Sequence, residues 1–72
     1  QSLSDRVARF FTDHSLYPAG RKELRILMTQ LAAEVNDSRL DVSRVLNDMQ
    51  RKGLVELHRG RIVIPSLERL FM

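Results

Sequence analysis

Six basic residues, Arg39, Arg44, Arg51, Lys52, Arg59 and Arg61, fall within one stretch of 23 positions that holds only three acids, Asp41, Asp48 and Glu56. The whole formal charge of +3 belongs to this stretch, because five bases and five acids cancel before it and Glu68 cancels Arg69 after it. A guanidinium group presents paired, coplanar N–H donors that match a phosphate or the O6 and N7 of guanine. Clustered arginine is therefore the electrostatic footprint of a polyanion ligand. A solvated, mildly basic face gives the same counts, so spacing has to separate the two.

The spacing is helical. At roughly 100° per residue, Leu40, Arg44, Asn47 and Arg51 share one face, and Val42, Val45, Leu46 and Met49 share the opposite one. Arg44, in the middle of the outer face, could bond guanine in a major groove or pair with Asp48 one turn on. Arg39 stands at the helix start, where free backbone N–H groups favour a phosphate. Ser38 before it could cap the helix or bind that phosphate, but not with the same lone pair. Leu40 is apolar on a polar face. It suits a thymine methyl, or it packs back on the turn near Val35. Asp41 repels phosphate unless it pairs with Arg44, and as a first-turn acid it also complements the helix dipole. Asn47, Arg51 and Lys52 could reach a nucleic-acid backbone or remain solvated.

Little else in the chain can do chemistry. His14 and His58 are the only histidines, and each lies beside a turn. His14 follows Asp13, but adjacent helical residues do not face each other. Ser43 has no histidine at helical spacing. No metal-ligand spacing, phosphate-cradling glycine loop or nucleophile motif occurs, so the chain is not expected to be an enzyme or to carry a cofactor or metal. The absence of cysteine excludes a disulfide scaffold and a thiolate zinc site. Apolar runs are only a few residues long, too short for a bilayer. A start at Gln1 without a basic-then-apolar leader suggests a processed piece of a soluble, cytoplasmic protein. Seventy-two residues make a single domain, 1–72, in which burial only marginally exceeds chain entropy.

These side chains need a scaffold, and the apolar pattern supplies one. Leu3, Val7, Phe10 and Phe11 form one helical stripe, with Ser2 or Ser4 as the cap and an end near His14. Tyr17-Pro18-Ala19-Gly20 reads as a turn and Glu23–Leu27 as a weak strand. Met28, Leu31, Ala32 and Val35 predict a helix of about two turns, closed by Asn36-Asp37, since Asn tolerates the left-handed conformation. Ser38 caps the basic helix and Gly53 ends it. Leu54–Ile64 reads as a hairpin turning at Arg59-Gly60, which pairs Leu57 with Ile62 and Val55 with Ile64 on one face. Glu56, His58 and Arg61 go to the other face, and Val63 is out of place there. Pro65 ends the strand, and Ser66 caps a short helix carrying Leu67, Leu70 and Phe71. Arg59 and Arg61 bracket the tip, placed to meet phosphate or to discourage strand pairing. The expected architecture is mainly α with a small antiparallel sheet, a winged helix-turn-helix of three core helices and a β-hairpin wing.

From Leu31 onward the residues also resemble the C-terminal DNA-binding domain of the Crp/Fnr transcription regulators. The resemblance rests on Leu31-Ala32, Val42-Ser43-Arg44-Val45-Leu46, Lys52-Gly53-Leu54-Val55 and Arg59-Gly60-Arg61-Ile62-Val63-Ile64 in register. It is strongest over Leu31–Leu70 and extends back to Leu3. It implies a fragment of a longer regulator, with an upstream sensor barrel and dimerising helix whose effector is unknown. It implies double-stranded DNA as partner, a homodimer on a near-palindromic operator, and RNA polymerase as a further candidate partner. The family's groove-reading positions fall on Arg39, Leu40, Ser43 and Arg44. Many members have Glu where this chain has Leu40, and Gly-apolar where it has Asn36-Asp37, so its operator should differ from theirs. A winged-helix module that binds protein instead of DNA is the rival reading, and Leu40 alone leans that way.

Overall fold

The computed structural model describes residues 2–15 and 20–71. The elements are α1 (Leu3–Asp13), β1 (Lys22–Leu24), α2 (Met28–Val35), α3 (Arg39–Arg51), β2 (Glu56–His58), β3 (Arg61–Ile64) and a 3-10 turn, Leu67–Phe71. Of the turn expected at Tyr17-Pro18-Ala19-Gly20, the first three residues lie outside the described residues.

Local chemistry starts and stops each helix. The Ser2 hydroxyl accepts from the Asp5 N–H at 3.2 Å, satisfying one of the free donors of α1. Val7, Ala8, Phe10 and Phe11 turn inward. The stripe of α2 buries Leu31, Ala32 and Val35, and Asn36 then adopts φ 58° and ψ 54°, the left-handed conformation that reverses the chain. Asp37 N–H closes the end on the Ala32 carbonyl at 3.0 Å. Val42, Leu46 and Met49 are buried along α3, while Val45 is only half-buried. Gly53 at φ 75° ends that helix, with Leu54 N–H returning to the Met49 carbonyl.

The hairpin register follows the alternation, with His58 opposite Arg61, Leu57 opposite Ile62 and Glu56 opposite Val63. However, β2 begins at Glu56, so the expected pair of Val55 with Ile64 is not part of the ladder, and Ile64 pairs with Lys22 instead. The weak strand expected at Glu23–Leu27 forms as β1, shifted to Lys22–Leu24, and it joins the hairpin in one three-stranded sheet. β1 pairs antiparallel with β3, so the order is β1-β3-β2 and β3 is central. Leu24, Ile62 and Leu57 thus form one cross-strand row on the core face. This corrects the reading of Val63. It lies on the outer face, as expected, yet it is 1% exposed. Its cross-strand neighbours are Glu23 and Glu56 on the two sides, and a residue hemmed in on both sides of a central strand loses the solvent that an edge residue keeps.

The last element also differs. Ser66 does not cap it through a backbone N–H; its hydroxyl bonds the Glu68 carboxylate. A 3-10 turn has three residues per turn, so Leu67 and Leu70 align and Phe71 rotates off the stripe. Leu67 is accordingly buried and Phe71 is exposed. Every buried side chain among the described residues is apolar, drawn from α1, α2, α3, the sheet, Leu67 and Val55, which lies just before β2.

Candidate nucleic-acid interface

Helix α3 lies against α1 and α2 through Val42, Leu46 and Met49, which leaves Arg39, Leu40, Arg44, Asn47 and Arg51 exposed. The Ser38 hydroxyl accepts from the Asp41 N–H at 3.1 Å and is committed as the cap. The Ser38 N–H in turn donates to Asp37 Oδ1 at 2.8 Å.

On this face the structure sets aside one alternative for each of two residues. Arg44 does not pair with Asp48. Its Nη1 lies 3.6 Å from Asp41 Oδ1, one turn back, in a loose, solvent-exposed pair. Asp48 is already occupied by Arg51 at 3.0 Å and Lys52 at 2.9 Å. Those two cations, Lys52 foremost, hold the Asp48 carboxyl below its ordinary value of 3.8. Nor does Leu40 pack back on the turn near Val35. It is 61% exposed, at the rim of an open recess lined by Met28, Arg39 and Ser43.

The hairpin contributes the rest. Arg59 is exposed at the tip and makes no bond with the described residues. Arg61 reaches across the sheet to Glu23, 3.4 Å away, and is only half-exposed. The tip sits near the start of α2: a Cβ placed on Gly60 would come 3.9 Å from Leu27 Cδ2. Wing tip, α2 start and α3 start are therefore neighbours along one surface. Arg39, Leu40 and Ser43 are brought together at the α3 start. Arg44, Asn47 and Arg51 continue along the helix.

Three participants carry no local signal in the sequence. Arg6, on α1, donates from Nε to the Val35 carbonyl at 3.1 Å and from Nη2 to Asp37 Oδ2 at 2.8 Å. It thus fastens the turn from which α3 departs. Met28, a core residue by its spacing, also lines the recess. Glu23, by its pattern only part of a weak strand, holds Arg61.

A concavity of about 730 Å³ lies between α1, α3 and the C-terminal turn, with Arg44 among the residues that line it. Its lining includes Ala8, Val45, Met49, Leu54 and Leu70, together with Asp48 and Lys52, which pair with each other. His14 stacks on Phe10 with ring centroids 3.9 Å apart, and His58 lies 3.6 Å from Glu56. Neither faces a nucleophile. No cluster of three metal-ligating side chains occurs among the described residues, and no helix there is long and apolar enough to cross a membrane.

The family model described as a Crp-like helix-turn-helix domain matches residues 5–71. Among solved structures, a Crp/Fnr-family transcriptional regulator from Thermus thermophilus superposes with a TM-score of 0.87 at 29% identity, over 99% of this chain and 39% of that one. The reduced CO-sensing protein of R. rubrum gives 0.79 at 28% identity, over 96% and 34%. The Thermus thermophilus catabolite activator protein gives 0.71 at 26% identity, over 96% and 30%. The chain thus spans well under half the length of each. No curated protein sequence matches it.

Proposed function

This chain belongs to the family of Crp-like helix-turn-helix domains, and we propose that it is the DNA-reading part of a cytoplasmic transcription regulator. Helix α3 enters the major groove and the hairpin rides on the sugar–phosphate backbone. One observation carries the reading: the face of α3 turned away from the core holds Arg39, Arg44, Asn47 and Arg51, all exposed. Arg44 reads a base, and Arg39 docks phosphate at the helix start beside the Ser38 cap. Leu40 and Ser43 line the groove-facing recess, Asn47 and Arg51 extend the contact, and Arg59 and Arg61 position the wing. The regulator acts as a homodimer, its two copies reading half-sites one helical turn apart, ~34 Å, with RNA polymerase a further partner.

The test is a selection of bound sequences from random duplex DNA, followed by affinity against salt. If four arginines each neutralise one phosphate, log K against log salt should fall with a slope of roughly −3 to −4 per copy, and the selected sites should be inverted repeats. A flat salt response would instead support a protein-binding winged helix, the reading that the exposed Leu27 and Leu40 favour.

A further inference from the structure

We propose that Leu40 and Met28 form a seat for the 5-methyl group of a thymine, with the Ser43 hydroxyl beside it to donate to O4 of the same base; this rests on the DNA-reading function above. Leu40 has no donor or acceptor, so it makes no hydrogen bond to a base edge. The thymine methyl is the one apolar group that projects into the major groove, since the cytosine edge carries only a flat C5–H in its place. An apolar side chain on a groove-facing surface therefore has one favourable partner there. A lone exposed leucine would mean little. Leu40 is not alone: Met28, from the start of α2, faces the same recess and supplies a pliable thioether wall. The recess is open and about 470 Å³, wide enough for the edge of a base pair and not just a methyl group. Ser43, half-buried on its border, has a hydroxyl that bonds to none of the described residues. Arg39 also lines the recess and has no ion-pair partner among the described residues, so the apolar spot is bordered by positive charge. That border suits a nucleic acid better than the apolar face of a protein.

The experiment uses the sites obtained by selection. Each thymine is replaced in turn by deoxyuridine, which lacks only the methyl group. One thymine per half-site should show a loss of about fourfold in affinity, the size expected for one apolar carbon withdrawn from water. Leu40→Ala should bind the thymine and deoxyuridine duplexes equally while keeping its melting temperature, because Leu40 makes no core contact. Deoxyuridine tolerated at every position overturns the methyl seat. A methyl preference that survives Leu40→Ala also overturns it, since the reader is then elsewhere. In both cases a retained salt slope and a loss on Arg44→Ala leave the DNA-reading function standing. Failure to select any duplex, with a flat salt response, defeats both and makes the Leu40 surface a protein contact.

Discussion

Arg44 is held on the surface by nothing stronger than an exposed pair with Asp41, which costs a ligand little to displace. A guanine edge offers it two parallel acceptors in exchange. Arg44→Ala should therefore weaken specific binding by about 1–3 kcal/mol and relax preference at one base pair. Equal losses on selected and random DNA would show a phosphate contact instead. Asp48 belongs to the opposite case, with both oxygens engaged by Arg51 and Lys52. Its carboxyl is held below the ordinary value of 3.8, so the pair stabilises the fold above that pH and the benefit vanishes as pH falls through the lowered value. Asp48→Asn should melt slightly lower than the parent at pH 7, and the gap should close in acid. A gap that persists unchanged in strong acid would place the effect outside these ion pairs.

Between residue and fold stands the turn that launches α3. Arg6 spans from α1 to the Val35 carbonyl and the Asp37 carboxylate, and Asp37 passes the restraint to the Ser38 N–H. The turn that directs the reading helix is thus tied, at Asp37, to a guanidinium 31 residues earlier. The Arg6–Asp37 pair is about a third exposed, which reduces its worth to roughly 1 kcal/mol. Arg6→Met should lower stability by that amount and reduce the ratio of specific to random DNA affinity. An unchanged ratio would make Arg6 a fold residue only.

What the sequence discloses at this scale follows the range of each interaction. Ser2, Asn36, Ser38 and Gly53 act on neighbours within a few positions, so their caps and stops are legible. The hairpin register is legible because the Arg59-Gly60 turn and the two-residue alternation agree. Arg6 with Asp37, and β1 with β3, join distant segments, and no periodicity announces them. The partner of Arg44 is hidden for another reason: the choice between Asp41 and Asp48 depends on which cations have already claimed the second acid. Leu40 is hidden because its pattern fits a packed patch and an open rim equally well.

Across the whole molecule, charge and shape converge on one side. The hairpin tip lies by Leu27, Leu27 precedes α2, and Met28 shares a recess with the start of α3. Arg59, at that tip and unpaired among the described residues, should contribute the same to every sequence. Arg59→Ala should weaken selected and random duplexes alike and make the salt slope shallower by about 0.9 per copy. A loss confined to selected sites would assign Arg59 to base reading.

The pairing of Lys22 with Ile64 and of Leu24 with Ile62 has a kinetic consequence. During synthesis β1 emerges long before β3, and it must wait unpartnered while the whole helix-turn-helix is translated. A chain cut short just before Arg61 would keep β1 without a partner, its backbone amides open to any passing edge. Closing the sheet must therefore wait for the last strand of the chain to be made and freed.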